Sequence, residues 1–460
     1  MQSSVDYSGA QQRVIFEEYP IKQVVAAAGS GKTRTVIGLV EHRLMVGLEQ
    51  PGSILLISFS RRAAGELRMR MRADLRSAVE IRTFHSFCYH KLRSHAPEFR
   101  DNPPRIIEDR ERRAVLRALM RADPEAESIG GIPYSILIQQ LVEFELHFPG
   151  MFRRVQAAYA RYKREKNALE YADLITLMLD ALRDDSIEWA ARLRRRYSLI
   201  LVDEFQDTDP RQLEFLKLMN PARIVTVGDA RQSIYGFRGA TLGPFLNFQK
   251  EFPGARIYDL NENYRSLSPI VGLSERVIRT ARTRMPGKKT RAIRGQRRLP
   301  VLALRMSTGA ESDLVARLSP AFERDPAGLR ILVRTNFRGR QWERAGCTSS
   351  HWLTIHKSKG LEFPVVLLDM MGGWSSCHST QNGRRALRKG RVRFDEEELR
   401  VLYVGCTRAM NLLVLLYRTD AEVGEIERHY YERIFANRVR EIEAGELMPW
   451  LERARSLREM

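Results

Sequence analysis

Residues 24–33 read Val-Val-Ala-Ala-Ala-Gly-Ser-Gly-Lys-Thr, an apolar run entering a glycine-rich turn, with a helical pattern after it. Glycines at 29 and 31 let backbone N–H groups close around phosphate oxygens, and a helix N-terminus adds a partial positive charge. In this pattern Lys32 reaches the β and γ oxygens of a nucleoside triphosphate, and the Thr33 hydroxyl ligates Mg²⁺. Ala26 stands where the usual pattern has its first glycine. On its own the loop fits kinases, transporters and many ATPases. A second candidate lies at 199–204, Leu-Ile-Leu-Val-Asp-Glu, an apolar strand ending in two carboxylates. Asp203 there suits Mg²⁺, held directly or through water, and Glu204 suits polarising an attacking water. Taken alone, the same two residues read equally well as a solvent-facing strand end.

Parallel strands would have to position these groups. Seven short runs rich in Val, Ile and Leu read as buried strands: Gln23–Ala27, Ile54–Ser58, Leu199–Asp203, Ile224–Gly228, Arg330–Val333, Val365–Leu368 and Leu412–Leu416. Helical patterns follow most of them, which implies α/β architecture with parallel sheets and crossover helices. The runs fall into two clusters, so two lobes are expected. Between them the periodicity turns helical, as in Arg110–Arg121 and Tyr171–Leu182. The expected organisation is a first lobe at 1–90 and 197–259, a helical insertion at 91–196, and a second lobe with C-terminal helices at 260–460.

Composition narrows the partner. Lys and Arg number 76 against 56 Asp and Glu, a net charge of +20. Such a surplus suits a polyanion, nucleic acid above all, although an arginine-rich solvated surface has the same composition. Basic stretches at Ala281–Arg298 and Gly383–Arg393 fit phosphate contacts or exposed loops. Cys88, Cys347, Cys377 and Cys406 form no CxxC pair, so nothing suggests a zinc or iron–sulfur site, and scattered thiols suit a reducing cytosol. No signal-peptide pattern or membrane-spanning apolar run is visible, and a cytoplasmic protein is expected.

The acidic pair continues as Asp203–Glu204–Phe205–Gln206–Asp207–Thr208, and DEFQDT resembles motif II of the UvrD/Rep/PcrA type of superfamily 1 DNA helicases. Other segments resemble that family in the same order over nearly the whole chain. The resemblance implies two RecA-like P-loop NTPase lobes and an ATP- and Mg²⁺-dependent motor on single-stranded DNA. It makes Gln11 (or its neighbour Gln12) a reader of adenine. Ala28, Gly29, Ser30, Gly31, Lys32, Thr33 and Arg34 become the phosphate loop, with Thr33 and Asp203 at the metal. Ser58–Ala64 and Thr83–Ser86 resemble motifs Ia and Ib, which put Phe59, Arg61, Thr83, Phe84 and His85 against DNA; both phenylalanines read equally well as core. The segment Gly228–Ala240 resembles motif III, with Gln232 sensing the γ-phosphate and Tyr235, Phe237 and Arg238 along the strand. Leu260–Ser266 resembles motif IV, with Tyr264 on adenine and Arg265 on the γ-phosphate. In Thr354–Phe363, similar to motif V, Glu362 suits the ribose, and Thr354 and His356 suit the DNA backbone. Glu396–Ala409 resembles motif VI, with Arg408 as an arginine finger.

One departure bears on function. Relatives carry a large helical subdomain between the strand at Val333–Asn336 and motif V, whereas here residues 337–353 are the whole interval. That leaves translocation intact and places autonomous unwinding of single-strand/duplex junctions in doubt. In size the chain resembles the compact helicase subunit of Gabija-type phage-defence systems, which would imply a partner nuclease. Two readings follow: a 3′-to-5′ helicase or translocase, and a DNA-activated ATPase that senses strands or ends for such a nuclease. A P-loop kinase is disfavoured by DEFQDT and by QSIYGFRGA.

Overall fold

The computed structural model describes residues 6–130, 132–139, 141–236, 241–294, 299–307, 309–374, 395–418 and 431–457. Phe237, Arg238, Cys377 and the basic stretch Gly383–Arg393 lie outside them. By packing, the chain forms a larger unit, residues 1–81, 198–210 and 222–460, and a helical unit, residues 82–197 and 211–221. The helical unit thus starts at Arg82 rather than at 91, and it also takes in the helix Pro210–Met219 from beyond the expected insertion.

The larger unit is built on two six-stranded sheets, and all their described pairings are parallel. The first sheet contains β1 (Ile21–Ala26), β2 (Ile54–Ser58), β3 (Val79–Thr83), β4 (Leu199–Val202), β5 (Arg223–Gly228) and β6 (Arg256–Leu260) in the order β3-β2-β4-β5-β1-β6. The second contains β7 (Leu302–Arg305), β8 (Leu329–Val333), β9 (Trp352–Thr354), β10 (Phe363–Asp369), β11 (Ala409–Tyr417) and β12 (Arg440–Ile442) in the order β9-β8-β10-β11-β7-β12. Counted from its own first strand, each sheet has the order 3-2-4-5-1-6. The topology is repeated, as expected of two RecA-like lobes.

The strands legible in sequence are the ones buried on both faces. Every residue of β2, β4 and β10 is buried, because helices cover both sides of a parallel sheet, and apart from the terminal Ser58 and Asp369 these strands are apolar. The strands that were missed have other textures. β3 and β6 are sheet edges; β6 exposes Arg256 and Ile257, which breaks the apolar run. β7 has only four residues.

The first lobe packs Val24, Ala26, Val36, Leu39, Leu56 and Leu201 into one core. One core of the second lobe, centred on Val366, Leu368, Leu402 and Leu413, also takes in Ala28 and Ile234 from the first lobe. The lobes therefore meet through apolar contact as well as through the polar groups of the site. In the helical unit, Leu116, Met120, Phe144, Met151, Val155 and Tyr159 form a separate core. Among the described residues no helix is long and apolar enough to cross a membrane, and Cys88, Cys347 and Cys406 are buried and unpaired.

Candidate nucleotide and DNA site

β1 delivers the chain into the loop 27–31, and Gly31 is the N-cap of helix Lys32–Met45. Gly29 and Gly31 are left-handed, with φ of +70° and +81°. Space forces glycine here as well: a Cβ on Gly29 would lie 2.8 Å from Cβ of Arg265, and one on Gly31 2.6 Å from Nε2 of Gln11. The loop's carbonyls are held outward. Asn263 Nδ2 donates to Ala28 O (2.8 Å), Tyr264 N to Gly29 O (2.9 Å) and Gln11 Nε2 to Ser30 O (3.1 Å). The first-turn N–H groups of the helix have no intrahelical partners and are left to face an anion. The Ser30 hydroxyl is buried without a hydrogen-bond partner. Of the two candidate glutamines, Gln11 is buried against the loop, whereas Gln12 donates to Tyr7 O at the surface. Arg34 is exposed and donates to Asp6 O (2.8 Å).

β4 carries the acidic pair to the same end of the sheet. Glu204 takes a left-handed backbone, φ +55°, and its N–H donates to Asp203 Oδ1 at 3.0 Å. Lys32 Nζ lies 3.8 Å from one Glu204 oxygen, and Lys359 Nζ lies 3.8 Å from the other. Burial pushes the Asp203 carboxyl up, and the Glu204 charge adds to it. Burial acts on Glu204 in the same sense, but Lys32 and Lys359 outweigh it and hold that carboxyl low. Two crowded carboxylates beside a phosphate loop, with the Thr33 hydroxyl in its first turn, are a donor set that fits Mg²⁺.

The second lobe closes this region. Arg408 is 1% exposed. It donates to Val404 O (3.1 Å), Leu361 O (3.1 Å) and Gln232 Oε1 (3.2 Å). Burial and the neighbouring Arg265 pull its pKa down to about 9. Arg265 pairs with Glu362 and donates to Thr407 O (3.4 Å), while Tyr264 is exposed and hydrogen-bonds Glu262. Gln232 joins the two sets, since its amide Nε2 donates to Asp229 at 2.9 Å.

Beside them lies an aromatic pair. Phe59, just past β2, stacks on Tyr235 with ring centroids 4.8 Å apart and planes 22° from parallel. Tyr235 donates to His356 O at 3.3 Å, and the His356 ring is 6.2 Å away. Arg61 is exposed at the start of helix Arg61–Arg70. Thr354 is buried, and its hydroxyl accepts from Lys357 N (3.3 Å) as a helix cap. Thr83, Phe84 and His85 belong to the helical unit. Thr83 caps its helix by accepting from Ser86 N, and His85 meets Tyr171 edge-on. Phe84 is a correction: it is 6% exposed and packs edge-on against Phe215, so it is core and offers no open stacking face.

Lys359 is the residue the sequence reading passed over. Its ammonium pairs with Asp207, donates to Gln232 O (2.8 Å) and lies 5.0 Å from the Tyr235 ring centroid. It stands between the carboxylates and the aromatic pair. Its place in the His356–Gly360 run was the available signal, but a lysine's partners across the fold leave no trace in spacing.

The sequence profile of the UvrD/REP helicase N-terminal domain matches residues 8–253, and that of the UvrD-like helicase C-terminal domain matches 349–420. The chain belongs to the UvrD/REP helicase family. It is 31% identical over 359 residues to the ATP-dependent DNA helicase UvrD2 of Mycobacterium tuberculosis, covering 70% of this chain and 51% of that one. To the putative ATP-dependent DNA helicase YjcD of Bacillus subtilis it is 28% identical over 364 residues, covering 73% and 47%. To the ATP-dependent DNA helicase PcrA of Staphylococcus aureus it is 28% identical over 343 residues, covering 70% and 46%. The chain spans about half the length of these relatives. Arg265 falls between the two family matches, so its place in the site rests on the fold.

Proposed function

We propose that the chain is an ATP-dependent DNA helicase or translocase that moves 3′ to 5′ on single-stranded DNA. The observation that carries this reading is the contact between Arg408 of the second lobe and Gln232 of the first, 3.2 Å, beside a phosphate loop against which Arg265 also packs. A triphosphate there is held by groups from both lobes, so its binding and hydrolysis change how the lobes sit. Gln11 reads the adenine edge, Tyr264 stacks on the ring, and Glu362 takes the ribose. Lys32 and the loop N–H groups hold the phosphates, Glu204 orients the attacking water, and Gln232, Arg265 and Arg408 meet the developing charge. Thr33 and Asp203 hold Mg²⁺, which supplies charge neutralisation at the phosphates. Phe59 and Tyr235, stacked on each other, open to take a base between them, with Arg61 and His356 at the backbone. The test is displacement of streptavidin from end-labelled oligonucleotides during ATP turnover. Displacement from the 5′ end supports the reading, and turnover unaffected by DNA overturns it.

A second reading has one observation in its favour. Between β8 and β9 the chain forms a single helix, Asn336–Arg344. A DNA-activated ATPase serving a partner nuclease would hydrolyse ATP on single strands yet leave a forked duplex intact, alone or with candidate partners.

A further inference from the structure

The hydrogen-bonding groups of Gln232 are anchored. Lys359 and Arg408, both of the second lobe, hold its carbonyl and its Oε1, while its Nε2 donates to Asp229. Asp229 is itself wired onward. Its Oδ1 accepts from the main-chain N of Arg231 (3.1 Å) and from Arg231 Nε (2.8 Å). The guanidinium then crosses to the second lobe, where Nη1 donates to Glu275 Oε1 (2.9 Å) and Thr290 Oγ1 (3.1 Å). Thr290 in turn donates to Glu275. The guanidinium lies over the Tyr403 ring at 5.6 Å, and the Tyr403 hydroxyl reaches Asp229 at 3.4 Å. Asp229, Arg231, Glu275, Thr290 and Tyr403 are each no more than 7% exposed.

A buried carboxylate–guanidinium–carboxylate chain is a poor way to add stability, because desolvation offsets most of the attraction. An apolar set of equal volume does as well or better. Such a chain does specify one arrangement, since either half left alone is an uncompensated buried charge. Here the two halves lie on different lobes. The first-lobe half ends on the carboxylate that orients Gln232.

We propose that Arg231 is a positioning residue: through Asp229 it fixes the amide of Gln232, and through Glu275 it makes that position conditional on docking of the second lobe. With the lobes docked, Glu275 holds Arg231, Arg231 holds Asp229, and the amide is aimed from the Asp229 side as well as by Arg408. With the lobes apart, Arg231 loses its outer carboxylate and Asp229 loses the Tyr403 hydroxyl, so the Asp229 carboxylate keeps only the contacts of its own turn, with an unanchored guanidinium beside it. This rests on reading the chain as a two-lobed ATPase in which Gln232 faces the γ-phosphate.

The experiment measures steady-state ATP turnover of the full chain on saturating oligo(dT), with melting temperature alongside. The variants are Glu275→Gln, Arg231→Met, their double, Arg231→Lys and Thr290→Val. Expected is a fall in kcat of about 10- to 100-fold in each of the first two, with KM for ATP within about threefold. The double should be no worse than the worse single. Arg231→Lys should recover part of the loss, and Thr290→Val, which keeps both charges, should show a smaller fall in the same direction even if Arg231→Met does not fold. Unchanged kcat in folded Glu275→Gln, additive losses in the double, or a lower melting temperature with kcat intact would overturn the proposal. A wild type without DNA-stimulated turnover would sink the parent reading; an active wild type with an unaffected Glu275→Gln sinks only this one.

Discussion

The two sheets share the strand order 3-2-4-5-1-6, yet their carboxyl ends are put to different uses. In the first, the first strand leads to Gly29–Lys32, and helix 32–45 opens with Gly31 and no acidic residue in its first turn. In the second, the first strand leads to helix Glu311–Arg324, whose opening residue is a buried glutamate. Arg338 and Arg418 donate to Glu311 at 2.8 and 2.6 Å. A carboxylate at a helix N-terminus is what the dipole favours in place of an outside anion. The fourth strands repeat the contrast. β4 leads into Asp203, beside Glu204 and the phosphate loop. β10 ends at Asp369, which is fully buried and already accepts from Arg338 Nε and Trp342 Nε1, both at 2.6 Å. The same topology thus sets a glycine loop and Lys32 at one carboxyl end, and at the other ties the acidic groups to the protein's own arginines. On the proposed reading, the second lobe contributes arginines to a nucleotide site that it does not itself contain.

That contrast can be broken or sharpened by mutation. Lys32→Ala removes the phosphate-loop cation of the first end; ATP turnover should fall about 10³-fold or more, while salt-sensitive DNA binding, read by fluorescence anisotropy, is kept. Arg338→Met removes the guanidinium that joins the two carboxylates, leaving Glu311 with Arg418 and the buried Asp369 with no cation among its described partners. Stability should drop by about 3–5 kcal/mol in urea melts, with turnover per folded molecule unchanged. A loss of turnover there would mean that the second end takes part in chemistry. Arg408→Ala should lower kcat by about 10²- to 10³-fold with little change in melting temperature, provided the second lobe acts across the cleft. Phe59→Ala is the smallest of these effects: single-strand affinity should weaken by about 1–3 kcal/mol. Unchanged affinity would show that the stacked pair is packing alone.

Much of the proposed nucleotide end was readable because the residues that compose it lie close together in the chain. Loop glycines, Lys32 and the Asp203–Glu204 pair each sit within a few residues of a buried strand, and hydrophobic runs announce such strands. The strands β2, β4, β5, β8, β10 and β11 were legible for the same reason. β3 and β6 were not, because an edge strand keeps one side in water and mixes Arg and Glu into its pattern. Phe84 could be read as a stacking ring or as core because sequence alone cannot tell an apolar face turned to a partner from one turned to a core.

The linear order of residues determined which groups could bind phosphate, where the buried strands lie and that two α/β lobes exist, since each follows from residue type and short-range period. Only the tertiary structure decided that Lys359 joins Asp207 to Tyr235, that Arg231 joins Asp229 to Glu275, and that Arg338 joins Glu311 to Asp369. These are contacts between charges far apart along the chain. Their value depends on burial and on distances of a few ångströms, which no periodicity encodes.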